Sequence, residues 1–245
     1  MVAQVFNLCQ PLPPTAIVSA PPCPAGRLRE QTSCYIHACG DSADFAVAER
    51  RYHAYNQWVM NGAANMFRFD CMKALQATGI LLQEPGKDRD NYLKVIKLLY
   101  IAEKESLLET GRPIIGDRPF ALPHGPILSH VYDVIKGEDP RPEWSRFITT
   151  DDLSLRLLAD PGVERLCRYE IDKLKEVAHR YREMDRWQMR DATHHLPEWI
   201  RNNPGQSSRV IPLRDIFEAA GKSEMLEAVQ RRAAADRHFS AAFGV

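Results

Sequence analysis

The run Lys97-Leu98-Leu99-Tyr100, followed by Gly111-Arg112-Pro113-Ile114-Ile115-Gly116-Asp117 and then by Gly125-Pro126 and Tyr132, decides how this chain is read. Tyr92, Val95, Ile96 and Leu99 recur at helical spacing, and Leu98 and Ile101 widen the stripe, so the segment reads as a helix with one broad apolar face. Gly111 supplies a residue able to take positive φ where a helix ends, and Pro113 cannot continue the helical hydrogen bonding. Ile114 and Ile115 before Gly116-Asp117, then Phe120, Ala121 and Leu122 before Pro123, read as two short strands around a tight connection. Pro126 suits the first turn of a second helix, where a missing N–H costs nothing, with Ile127, Val131, Val134 and Ile135 as its apolar side and Gly137 as its stop. The reading is helix, hairpin, helix.

At these residues the chain resembles the Panacea domain, or antitoxin SocA-like domain, of bacterial and phage toxin-antitoxin systems. The resemblance lies in a Lys-Leu-Leu-Tyr helix, a Gly-Arg-Pro-Ile-x-Gly-Asp turn, an Ala shortly before Gly-Pro, and a Tyr-Asp helix closing on Lys-Gly, all in order from Lys97 to Gly137. Asp191-Ala192-Thr193-His194 and Trp199 resemble the family's later Thr-His and Trp positions, and Phe69 through Leu82 its first helix. The resemblance implies a non-enzymatic antitoxin that binds a cognate toxin encoded beside it, by sequestration or, as in the SocA-like type, as an adaptor delivering the toxin to the ClpXP protease. The residues it marks for partner binding or for the motif are Lys97, Tyr100, Gly111, Asp117, Gly125, Pro126, Tyr132, His194 and Trp199.

Composition narrows the field. With 245 residues and 44% hydrophobic content the chain can bury one good core. Its 32 basic and 32 acidic side chains cancel, which argues against a broad electrostatic surface for nucleic acid or an anionic membrane. Residues 1–26 carry no charged side chain before Arg27, but Pro11, Pro13, Pro14, Pro21, Pro22 and Pro24 interrupt every apolar run, so neither a membrane helix nor a signal-peptide core is expected there. Such a segment cannot bury enough surface to order itself, and residues 1–62 are expected to be a flexible extension, with Met60 or Met66 as the natural start and the functional domain at 66–238. Cys9, Cys23, Cys34 and Cys39 lack the paired spacing of a zinc site, even with His37 between the last two, and Cys71 and Cys167 stand alone in helical patterns. Reduced thiols in a cytoplasmic protein are the expectation.

Elsewhere the chain reads as helical. Phe69, Met72, Leu75 and Ile80 give a first helix its inward face, and Asp88 or Asp90 is placed to cap the helix that begins near Tyr92. Residues 138–142 read as a polar loop. A helix is expected from about Val163 through Tyr181, its alternating charges a solvated face, and a shorter one around Trp187, Met189 and Ala192 before Pro197. Residues 202–208 form a loop; Pro212 opens a helix stopped by Gly221, and Ser223 caps a last one bearing Met225, Leu226 and Val229. The fold class is mainly α, an α+β domain with a small hairpin between two central helices.

His124, His130, His194 and His195 with Asp117 and Asp133 are the grouping that invites an enzyme reading, since histidine moves protons or binds metal near neutral pH. No His-Glu-x-x-His, Gly-x-Ser-x-Gly, Gly-rich phosphate loop or paired-ligand spacing accompanies them, so no cofactor, metal or catalytic residue is assigned. The simpler reading makes Asp117 a turn residue accepting backbone N–H groups, Tyr100 and Tyr132 core-edge tyrosines, and His194 a backbone-bonded residue near the Trp199 bend. Lys97 sits between apolar neighbours, so its ammonium needs a partner, for which Asp117 is the candidate. A His/Asp hydrolase or metal-dependent enzyme and a DNA-binding autoregulator are the alternatives. The interleaving of Arg180, Arg182, Arg186 and Arg190 with acids weakens the second.

Overall fold

Helix α1 (Cys71–Gln83) opens the described part of the chain, a computed structural model covering residues 66–83 and 87–243. The expected flexible extension and its four cysteines lie outside the described residues. Asp70 caps α1 by accepting the Lys73 N–H, and Leu75, Leu81 and Leu82 turn inward to full burial. Gly79 is needed at a close crossing, because a Cβ there falls 2.6 Å from the Pro161 ring.

A short strand β1 (Arg89–Asn91) leads into α2 (Tyr92–Thr110), the central helix, which packs on α1 and on several of the elements introduced below. Its N-cap is Asn91, whose side chain accepts from Leu93 N–H, and not Asp88 or Asp90; Asp90 lies in β1 and pairs loosely with Lys94 at 3.5 Å. At the other end Gly111 takes φ +69° and returns its N–H to Leu107, the left-handed stop its position called for. The buried Val95, Ile96, Leu98, Leu99 and Ile101 are each worth roughly 1.5–3 kcal/mol of apolar burial.

The hairpin is shifted from its expected place. Residues 114–115 form a bend, while the strands are β2 (Pro119–Leu122) and β3 (Gly125–Leu128), paired antiparallel with Phe120 opposite Ile127 and Ala121 opposite Pro126. Pro126 therefore lies in an edge strand and not in the first turn of a helix; an edge strand tolerates its missing donor as readily as a helix start does. A two-residue strand β6 (Arg209–Val210) joins the far side of β2, giving the order β3-β2-β6. The second helix of the motif, α3 (Ser129–Ile135), starts after the hairpin and ends before Gly137 at φ +73°.

A second sheet goes beyond the single hairpin that the sequence pattern implies. After α4 (Pro142–Ser145), which buries Trp144, strands β4 (Ile148–Asp151) and β5 (Ser154–Leu157) form a hairpin that adds β1 in the order β1-β5-β4. Phe147-Ile148-Thr149-Thr150 followed by Asp151-Asp152 was its signal, and Asp152 takes the positive φ of +50° that the turn needs.

Helix α5 (Arg168–Arg180) begins later than its apolar spacing suggests, because Cys167 and Glu170 form the cap: Glu170 accepts the Cys167 N–H at 2.8 Å. Its charged face is not wholly solvated. Lys173 is 6% exposed and reaches across to Glu109 on α2 at 2.8 Å, with Glu176 at 2.7 Å from its own helix, and Arg180 pairs with Glu105. The chain closes with α6 (Arg186–His194), α7 (Pro197–Arg201), α8 (Leu213–Ala219) and α9 (Ser223–Phe243). The fold is predominantly helical with two small antiparallel sheets, and one contiguous core runs from Ala74 on α1 to Val229 on α9.

Candidate functional site

Helix α2 turns two polar side chains into the core three residues apart. Lys97 is fully buried, and its ammonium donates to the Pro126 carbonyl of β3 at 3.4 Å. Burial, helped by the nearby Arg190 cation, pushes its pKa down from 10.5 to about 7. Opposite stands Gly125 at φ +100°, where a Cβ would fall 2.5 Å from Lys97 Nζ, 2.8 Å from Thr193 Oγ1 and 3.3 Å from the His194 ring. Only glycine meets both demands, the backbone angle and the missing volume. Thr193 spends its hydroxyl on the carbonyls of Met189 and Arg190 in its own helix. His194 lies flat on Trp199, centroids 4.1 Å apart and planes 5° from parallel, while the Trp199 indole N–H donates to Leu122 O on β2 at 3.1 Å. His194 Nε2 is buried without a hydrogen-bond partner, and burial with the Lys97 and Arg190 charges holds that ring below its ordinary pKa.

One turn along α2, the Tyr100 hydroxyl donates to Glu198 Oε1 at 3.0 Å, and Lys104 Nζ reaches the same oxygen at 2.6 Å. Glu198 and the Tyr100 side chain are buried, and burial followed by the Glu198 charge raises the Tyr100 pKa well above its usual value. Beside them Glu103 acts as a receptor for the turn that follows the helix: Oε2 accepts the N–H groups of Ile114 and Ile115, and Oε1 those of Gly116 and Asp117, at 2.7–3.2 Å. Burial raises its pKa to about 7 against the lowering effect of those donors. These four bonds explain why residues 114–115 are no strand, since their donors are already taken.

Asp117 in turn accepts the N–H groups of Arg118, His130 and Val131 and the Nδ1 of His130 at 2.7 Å, so it caps α3 from outside that helix. It is therefore not the partner of Lys97. His130 also stacks on Phe69 at 4.8 Å. The histidines thus divide: His130 belongs with Asp117 and Phe69, whereas His194 belongs with Lys97, Thr193 and Trp199. No group of three His, Cys, Asp or Glu residues among the described residues is arranged to hold a metal ion. His194 stacks where a backbone hydrogen bond was expected, and Tyr100 is core and not core edge. Tyr132 is half-buried against the core. No helix among the described residues is long and apolar enough to cross a membrane.

Lys97, Gly125, Pro126, His194 and Trp199 therefore meet at one point, from four elements that are up to about a hundred residues apart in the chain. Residues 95–200 match the antitoxin SocA-like, Panacea domain family. Neither the curated proteins nor the solved structures gave a match. The Panacea segment runs from Val95 in α2 to Ile200 in α7 and contains all nine motif residues. Glu103, Lys104 and Glu198 are the Panacea-segment residues that sequence reasoning missed. For Glu103 and Lys104 the signal was their place three and four residues after Tyr100 on the helix that carries Lys97, whereas Glu198, in α7, had none.

Proposed function

We propose that this chain is an antitoxin that neutralises a cognate toxin, encoded in the neighbouring gene, by binding it directly. The observation that carries the reading is the family match over residues 95–200, the stretch in which the Lys97, Gly125 and His194 elements lock together. The functional unit is taken as residues 66–238, because α1 before the match and α8 and α9 after it share the same core. The buried polar groups of that core hold backbone and neighbouring helices: Glu103 its turn, Asp117 its helix, Glu198 its lysine and tyrosine. Such a use of charge supports a scaffold that presents a surface, and a surface of roughly 1,200–2,000 Å² total burial suffices for a stable complex without chemistry.

Co-expression of the chain with the product of the adjacent open reading frame tests this. Growth is expected to be restored and the two proteins to elute together; a chain that neither binds its neighbour nor relieves its toxicity overturns the reading. In a strain lacking ClpXP the rescue is expected to persist, and its loss there replaces direct neutralisation with proteolytic delivery.

A further inference from the structure

Helix α6 buries one side and shows the other. Met189 and Thr193 are 0% and 1% exposed, while Trp187 on the outer side is 45% exposed. Arg186 and Arg190 flank Trp187 on that outer side at helical spacing. The guanidinium carbons of Arg186 and Arg190 lie 4.9 and 5.0 Å from the indole centroid, so two cations clasp one ring. The α6 helix beneath is held by a capping box, Asp185 accepting from Trp187 and Gln188 N–H and Gln188 accepting from Asp185 N–H. The ring is therefore ordered before anything binds to it.

The charge on this face is unbalanced. Arg186 makes no ion pair among the described residues, and Arg190 has Asp191 alone. The chain as a whole is neutral, so this is a local excess and not a reflection of composition. Tryptophan and arginine are also the residues in which interface energy concentrates, and an ordered ring lowers the entropy lost on docking.

We propose that this face of α6 is the toxin-docking surface and that it takes an acidic segment of the toxin, carboxylates meeting Arg186 and Arg190 while an apolar group packs on Trp187. The assignment rests on the antitoxin reading and deepens it by naming the surface and the partner's chemistry. The neutrality of the chain disfavours nucleic acid as the occupant.

The test uses the full-length chain and the purified product of the adjacent gene, with affinity measured by calorimetry at low and moderate salt. Trp187→Ala is expected to weaken binding by at least about 30-fold, the effect of losing an interface anchor. Arg186→Glu with Arg190→Glu is expected to abolish binding. The pair Arg186→Lys and Arg190→Lys, which keeps the charge, is expected to stay within about tenfold of the parent, and Arg231→Glu on α9 to change nothing. Wild-type circular dichroism and melting temperature certify each variant, and all the substituted side chains are at least partly exposed. If the parent binds its neighbour and the charge-reversed variant binds equally well, the docking surface is overturned and the antitoxin reading stands. If the parent does not bind its neighbour, the antitoxin reading fails and takes this surface with it. Retention of a DNA fragment from upstream of the gene by the parent, lost on charge reversal while toxin binding is kept, also overturns the assignment.

Discussion

Replacing Lys97 by Met should stabilise the protein near neutral pH. Methionine has nearly the reach of lysine and no charge, so the volume between α2 and β3 stays filled. Burial lowers the lysine pKa from 10.5 to about 7, and at about 1.4 kcal/mol per pH unit this corresponds to on the order of 5 kcal/mol by which the fold opposes the charged ammonium. Against it stands the single 3.4 Å hydrogen bond to Pro126, worth about 1 kcal/mol. A net gain of about 2–4 kcal/mol for Lys97→Met is expected at pH values below about 7, where Lys97 is protonated both folded and unfolded and the full cost applies. Between about 7 and 10.5 the unfolded chain holds a proton that the folded chain has lost, so wild-type stability from this group rises with pH and the advantage of the variant shrinks toward nothing. Urea denaturation followed by circular dichroism, on both proteins at about pH 6.5, 8 and 9.5, measures the difference while cancelling titrations common to both. A variant less stable than the parent at the lowest pH, or a difference that does not change across the window, refutes the reasoning. Either result means that the ammonium is held by something stronger than one carbonyl.

Gly125→Ala should cost about 2–5 kcal/mol, from a backbone angle of +100° that side chains avoid and a Cβ 2.5 Å from Lys97 Nζ; a melting temperature within a degree or so of the parent would show that β3 shifts freely. Glu103→Gln turns an amide NH₂ toward two of the four backbone donors at 114–117 and should lose about 2–4 kcal/mol in chemical denaturation, with those amides exchanging faster by NMR; unchanged exchange sinks the claim that this carboxylate holds the turn. Glu198→Ala strips Tyr100 and Lys104 of their shared acceptor, and a loss of about 3–5 kcal/mol is expected in the same assay; a variant as stable as the parent means the trio is replaceable.

Lys97 and the hairpin mark the boundary of what could be read in advance. The apolar spacing of Tyr92, Val95, Ile96 and Leu99 and the stop at Gly111 are local properties, and the helix they describe is present, as are the helix around Met189 and the last two helices. The strand expected at Ile114-Ile115 is absent because a glutamate eleven or twelve residues earlier claims the backbone donors, a competition that β-propensity cannot register. The second sheet is not legible in the sequence because each strand is four residues or shorter and pairs with a partner as far away as Arg89 with Arg156. Within the site, Lys97, Gly125, His194 and Trp199 stand out in the sequence, yet Lys97 meets the Pro126 carbonyl and not the expected Asp117. Asp117 is a chemically plausible counter-ion, and nothing in the chain order says that His130 will occupy it first.

Read as a string, the chain determines its helices, its stops and the residue types that carry the Panacea resemblance, because those follow from periodicity, glycine and proline over a few neighbouring positions. Tertiary structure alone decides which of the polar residues meet. Lys97 is cationic or neutral according to how deeply α2 is buried, Glu103 and Asp117 are caps because turns are folded onto them, and Trp187 is a clasped, exposed ring because α6 packs by its other side. The physical reason is that solvation and hydrogen-bond partnership depend on distance in space, whereas sequence patterns report only distance along the chain.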